Sequence, residues 1–313
     1  MSVSPRLSVA VVVICAAATS LTAAPSHEIG QLRSGDRIRY YVLYVPDSYQ
    51  AQTPTPLVVS LHGFFEWPRH LQRMSGWSEH AEEHGFIVVY PRGTGSPLRW
   101  NTRASDDDPA AMQRDVELIA DLIEALTAEH NIDRGRVYVN GLSNGAGMAH
   151  VVACELADRI AAIGGVAGAS PYPWDDCRPT RPVPVIAFHG TADPIVPYEG
   201  GAAGRGGATR FASVASWARA WAARNGCAAT PRKLARVGQV SAARYTDCDD
   251  AAEVELHTVD EGGHTWPGGR PMPESITGTT SEDVSATELM WAFFQRVTAA
   301  ATAAAATAAT ATR

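Results

Sequence analysis

No run of one charge sign in this sequence is long enough to suggest an interaction tail, and its Lys and Arg residues are scattered. With a formal net charge of −7, this excludes the basic face that a nucleic-acid-binding surface needs. No C-x-x-C is present, so neither a zinc ribbon nor a thioredoxin-like site is supported. There is no internal repeat and no linker that would split the chain. Three consecutive aspartates, Asp106 to Asp108, read as a solvated loop, because a hard-cation site needs ligands converging from several positions.

What is present begins with a processing segment. Arg6 precedes an apolar run over residues 7–18, and small residues continue through Ala24. That order is the n-region, h-region and cleavage region of a secretory signal, expected over residues 1–24. The run is too short for a stable bilayer span, so none is expected once it is removed. Four cysteines then remain: Cys154, Cys177, Cys227 and Cys248. An even number in an exported chain reads as two disulfides. Of three possible pairings, Cys154 with Cys177 and Cys227 with Cys248 close the shortest loops. Nothing in the sequence sets the oligomeric state.

Strand-like and helix-like stretches alternate through the mature chain. Arg37–Val45 and residues 56–61 read as strands, rich in Val, Tyr and Leu and bounded by Pro and Gly. A helix is expected over residues 71–84, a strand at 87–90, and a helix at 115–130. That last helix puts Val116, Ile119, Leu122, Ile123 and Leu126 on one face, with Asp115 near an N-terminus that favours negative charge. Strands at 136–140, 160–166, 183–188 and 253–259 and helices at 145–157, 209–225 and 284–297 complete the pattern. The alternation predicts an α/β fold with a mainly parallel central sheet and helices on both faces. Residues 25–297 form one catalytic domain, and the Ala/Thr-rich stretch 298–313 is expected to fray as a low-complexity tail.

Gly141-Leu142-Ser143-Asn144-Gly145 matches G-x-S-x-G, with an apolar strand before it and a helix-compatible run after it. That context presents a serine hydroxyl on a sharp strand-to-helix turn, with glycines where a Cβ would clash. A serine nucleophile needs a base, and the base needs an orienting carboxylate. Asp193 lies in the loop opened by strand 183–188, ahead of its rivals Asp158, Asp175, Asp176 and Asp260. His264, between Gly263 and the last helix, is the expected base, and His189 and His257 are read as structural. The backbone amides of Asn144 and of Phe64, in the turn Leu61-His62-Gly63-Phe64, are the expected oxyanion donors, with His62 in support.

The set LHGFF, VYVNGLSNGAGM, VIAFHGTADPIVPYEGG and EGGHTWPGG resembles the secreted polyhydroxybutyrate depolymerase and feruloyl esterase group of α/β-hydrolases. The resemblance covers roughly residues 35–297 and implies an α/β-hydrolase fold with a Ser143, Asp193, His264 triad. It also implies paired cysteines near Cys227 and Cys248. Phe64-Phe65 departs from the smaller or polar residues usual in that group, which bears on the shape of the acyl pocket.

Other patterns carry less. His80-Ala81-Glu82-Glu83-His84 fits H-x-x-E-H, a zinc-ligand spacing, but in a polar helix it reads as a solvated face, and no metal is expected. The Gly-rich stretch 200–207 lacks the Lys and strand of a phosphate cradle and reads as a loop. Trp266, Trp67 and Trp100 are candidates for an aromatic substrate wall, whereas Trp217, Trp221 and Trp291 fall in helices and read as core. The expected function is secreted carboxylic ester hydrolysis without cofactor, on a small-molecule or polymer ester. A feruloyl or related plant-polysaccharide ester ranks first and a polyhydroxybutyrate polyester second. A non-catalytic binding protein on the same scaffold is the rival from another class, and the complete triad set speaks against it.

Overall fold

The computed structural model describes residues 26–103, 107–168, 177–203 and 210–311. The expected signal segment, Asp106, Asp175, Asp176 and residues 204–207 of the Gly-rich loop lie outside the described residues. Ser26–Ser34 (β1) and Arg37–Val45 (β2) form an antiparallel pair. Thr55–Leu61 (β3), Pro68–Ser75 (α1), Trp77–His84 (α2), Ile87–Pro91 (β4), Ala111–Glu129 (α3), Ile132–Leu142 (β5) and Asn144–Glu155 (α4) follow. Next come Ala162–Val166 (β6), Val185–Gly190 (β7), the short pair Gly201–Ala202 (β8) and Arg210–Phe211 (β9), and Val214–Arg224 (α5). Arg232–Lys233 (β10), Val240–Tyr245 (β11), Val254–Val259 (β12), Glu274–Thr277 (α6) and Ala286–Ala311 (α7) close the order.

One sheet runs β1-β2-β4-β3-β5-β6-β7-β12-β11-β10. Its six central strands, β4 through β12, are parallel, and antiparallel strands flank them on both sides. Every residue of β3, β4, β6 and β7 is buried, which is why these strands are short and almost wholly apolar. Val58, Tyr138 and Ile186 turn to the face covered by α1, α2 and α7, where Leu71, Trp77, Met290 and Phe294 meet them. Val59, Val139 and Ala187 turn to the other face, against Ile119 of α3, Met148 of α4 and Trp221 of α5. This is the doubly covered, mainly parallel α/β sheet that the alternation predicts.

Several expectations need correction. The helix expected over 71–84 is two helices, because Gly76 adopts φ +69° and turns the chain between them. β1 and β11 have mixed polar and apolar residues suited to the outer part of a sheet, and the apolar-run criterion passes over them. The Ala/Thr stretch does not fray within the described residues: α7 continues through it to Ala311. Its first residue, Thr298, bonds the Tyr138 hydroxyl at 2.9 Å. A helix nucleated by packed turns propagates cheaply, and Ala is the best helix former. Two disulfides, Cys154–Cys177 and Cys227–Cys248, close loops with separations of 23 and 21 residues. Each is worth roughly 3 kcal/mol by chain entropy.

Asp115 is also placed differently. α3 begins at Ala111, so Asp115 sits past the first turn, and its carboxylate leaves the helix. It pairs with Arg39 Nη2 at 3.0 Å, with both side chains buried, and its other oxygen accepts from Asn101 N and Nδ2. Asp115→Ala is expected to cost about 3–5 kcal/mol, because it strands a buried guanidinium. Denaturant unfolding checks this. A loss under about 1 kcal/mol would show that water reaches Arg39 after all.

Candidate active site

The three expected triad residues stand in loops at the C-terminal ends of neighbouring parallel strands. Ser143 follows β5, Asp193 follows β7 and His264 follows β12, with only β6 between the first two strands. Backbone bonds lace this edge together: Ser143 N to Val166 O, Ala167 N to Phe188 O, and Ala192 N to Gly262 O, at 2.8 to 3.0 Å.

Ser143 holds φ +53° and ψ −115°, a region that a residue with a Cβ seldom enters. The turn is tight because α4 starts hard against β3. A Cβ on Gly145 would lie 2.0 Å from the Leu61 carbonyl oxygen, and one on Gly141 would lie 2.4 Å from the Gly145 carbonyl carbon. Both glycines are therefore close-approach residues, and the strain they permit leaves Ser143 at the N-terminus of α4 and half-buried.

Asp193 is buried and fully engaged. Its Oδ1 accepts from Ile195 N and Val196 N, both at 2.8 Å, and its Oδ2 lies 2.8 Å from His264 Nδ1. His189 Nε2 stands 3.3 Å from the same Oδ2 and 2.9 Å from the Val196 carbonyl. Burial alone would raise the Asp193 carboxyl, but the bonds from His189 and His264 outweigh it and hold the group below the usual carboxylate range. An ionised carboxylate only accepts, so His264 Nδ1 carries the proton and Nε2 is left as the basic nitrogen. Among the rivals, Asp260 is paired with Arg236 at 2.7 Å and Asp158 is exposed.

The expected oxyanion donors meet the requirement of being free. The Gly63 amide donates to Glu66 Oε2 and the Phe65 amide to Leu98 O, which leaves the Phe64 amide without an acceptor among the described residues. The Asn144 amide likewise has none. Its side chain is clamped to the Trp100 backbone, Oδ1 accepting from Trp100 N at 2.7 Å and Nδ2 donating to Trp100 O at 3.1 Å. His62 is buried, accepts from Gly93 N on Nε2 and bonds its neighbour's carbonyl through Nδ1. That is the supporting role expected of it. Glu66 and the Asn144 side chain were not singled out from sequence. Their signal is only positional, since each lies within two residues of a donor.

Two of the three substrate-wall tryptophans are corrected. Trp266 is 1% exposed, packs in the core beside α7 and donates Nε1 to Thr287 Oγ1. Trp100 is equally buried and donates Nε1 to the His62 carbonyl. Neither presents a face to substrate, because each indole is used to brace a loop. Trp67 does stand out, 56% exposed beside Phe64 at 54% and Phe65 at 74%, with the Arg92 guanidinium over its ring. Trp217, Trp221 and Trp291 lie in the core as expected. His257 pairs with Glu255 at 2.7 Å inside β12 and is structural. Behind the site, a cavity of about 30 Å³ is lined by His150, Gly165, Phe188, His189, Val196 and Trp217.

The comparisons bear on what such an edge does. A family model described as esterase PHB depolymerase matches residues 39–171, which include Ser143. NocK of Nocardia uniformis subsp. tsuyamanensis, provisionally named an esterase, is 31% identical over 267 residues, covering 80% of this chain and 77% of its own. The chain belongs to the polyhydroxybutyrate depolymerase family of esterases. Members are carboxylic ester hydrolases on an α/β-hydrolase sheet, and this chain is one of them. Feruloyl esterase B of Piromyces equi is 27% identical over 245 residues, 74% of this chain. This esterase spans only 44% of that longer relative. An acetyl xylan esterase from Aspergillus awamori superposes with a TM-score of 0.59 at 16% identity, over 85% of this chain and 98% of its own, a likeness of fold. No helix among the described residues is long and apolar enough to cross a membrane.

Proposed function

We propose that this esterase is exported and cleaves esters by a two-step acyl transfer through Ser143, His264 and Asp193. The observation that carries the reading is the 2.8 Å contact of His264 Nδ1 with a buried carboxylate, on the sheet edge where Ser143 holds a strained turn. His264 Nε2 takes the Ser143 proton as Oγ attacks the ester carbonyl. The amides of Phe64 and Asn144 stabilise the tetrahedral oxyanion, each worth roughly 3 kcal/mol in the transition state. His264 then protonates the leaving alcohol, and water repeats the sequence on the acyl-enzyme. No step requires a metal or an organic cofactor.

For the substrate, an aromatic acyl ester of plant polysaccharide of the feruloyl type comes first. Phe64, Phe65 and Trp67, in and just after the oxyanion turn, are exposed aromatic side chains suited to contact a flat ring. A polyhydroxybutyrate-type polyester is the second reading, favoured by the family model's own description. Two disulfides and the N-terminal signal pattern support export.

A panel of methyl ferulate, nitrophenyl acetate and hydroxybutyrate oligomers tests both levels. The expected result is turnover of the acetate with a higher kcat/KM on the ferulate than on the oligomers. Inertness on every ester would end the catalytic reading, and preference for the oligomers would reverse the substrate order.

A further inference from the structure

The H-x-x-E-H pattern has no part in ester hydrolysis, yet the fold gives it a geometry that a solvated helix face does not need. His80, Glu83 and His84 lie on one side of the last turn and a half of α2, at i, i+3 and i+4. One donor atom from each stands within 4.8 Å of the other two. The two imidazoles are already close, with ring centroids 4.2 Å apart and their planes tilted by 57°.

His80 supplies an independent observation. Its ring is fixed by edge contacts with Trp77, Phe86 and Trp291, and its Nε2 is buried without a hydrogen-bond partner. A buried polar nitrogen left unpaired costs free energy, and such groups call for a physical explanation. A cation bound beside the ring would use that lone pair. Glu83 and His84 are exposed, so their side chains are free to close on the ion, and solvent is at hand for a fourth position. Zinc bonded to imidazole or carboxylate at about 2.0–2.1 Å needs its donors roughly 3.3 Å apart in a tetrahedron, a closure within reach of side-chain rotation.

We propose that His80, Glu83 and His84 form a site for a divalent transition-metal ion, zinc foremost, completed by water. Two imidazoles and one carboxylate form a borderline donor set that disfavours magnesium and calcium. The site lies on the α1, α2 and α7 face of the sheet, whereas α4, which begins just after Ser143, covers the opposite face. Its role is therefore structural: the ion clips the end of α2 where His80 and His84 flank Trp291 of α7.

The test uses the full mature chain stripped with a chelator. Zinc chloride is titrated calorimetrically, cobalt(II) is followed by its visible absorption, and thermal melts are recorded with and without zinc. The expected result is one ion per chain in the micromolar range, a four-coordinate cobalt spectrum and a higher Tm with zinc. His84→Ala and Glu83→Gln change exposed residues, and metal-free melts check that both fold. Each is expected to weaken binding by about tenfold or more and to remove the cobalt spectrum. Absence of micromolar binding, or equal binding by wild type and both variants, would overturn the proposal. Neither outcome touches the esterase reading, which is measured by turnover.

Discussion

Ser143→Ala is expected to lower kcat/KM on every ester by about four to six orders of magnitude, with the fold intact. The loss is large because the alternatives are poor. Without the hydroxyl, His264 can at best activate a water directly, and the covalent acyl-enzyme route is lost. Residual rate above water would come from the Phe64 and Asn144 amides and from substrate binding alone. Initial-rate assays on a soluble nitrophenyl ester, beside a thermal melt of the variant, check it. A variant that keeps activity within about tenfold would mean that another group does the chemistry.

Asp193→Asn is expected to cost about 10^4-fold in kcat with KM little changed, and the reason is one of donor direction. Ile195 N and Val196 N both donate to the inner oxygen of Asp193. An asparagine must therefore keep its carbonyl there and turn its amide N–H toward His264. The ring would answer by accepting on Nδ1 and carrying its proton on Nε2, the tautomer that cannot take a proton from Ser143. Stability changes as well. The folded pKa of Asp193 lies below its unfolded value, so its ionised form stabilises the native state at neutral pH, and that contribution disappears as pH falls toward the folded value. Matched measurements of kcat, KM and urea stability separate the two effects, and a kcat loss under about tenfold would contradict the tautomer argument.

How much was legible beforehand depends on whether a residue's job is local. Ser143 could be found because its turn needs Gly141 and Gly145 at fixed offsets, a requirement written into five consecutive positions. Asp193 and His264 were legible for a related reason, since each stands in a glycine-containing loop a few residues beyond a strand. The tryptophans were not, because solvent exposure belongs to the tertiary structure. Trp266 neighbours the base in sequence, yet its indole turns inward to Thr287, 21 residues on. Asp115 fits a helix-dipole argument until the long-range partner Arg39, 76 residues away, takes its carboxylate. His80 and His84 carry the same lesson. Their spacing was visible, but the aromatic wall that buries His80 comes partly from α7, more than 200 positions later.

The most direct measurement is covalent labelling with a fluorophosphonate, followed by peptide mass spectrometry. The account predicts complete inactivation with one adduct per chain, on the Ser143 hydroxyl, and labelling that slows sharply in Asp193→Asn. Inactivation through a different residue, or full ester turnover by protein that resists the reagent, would contradict it.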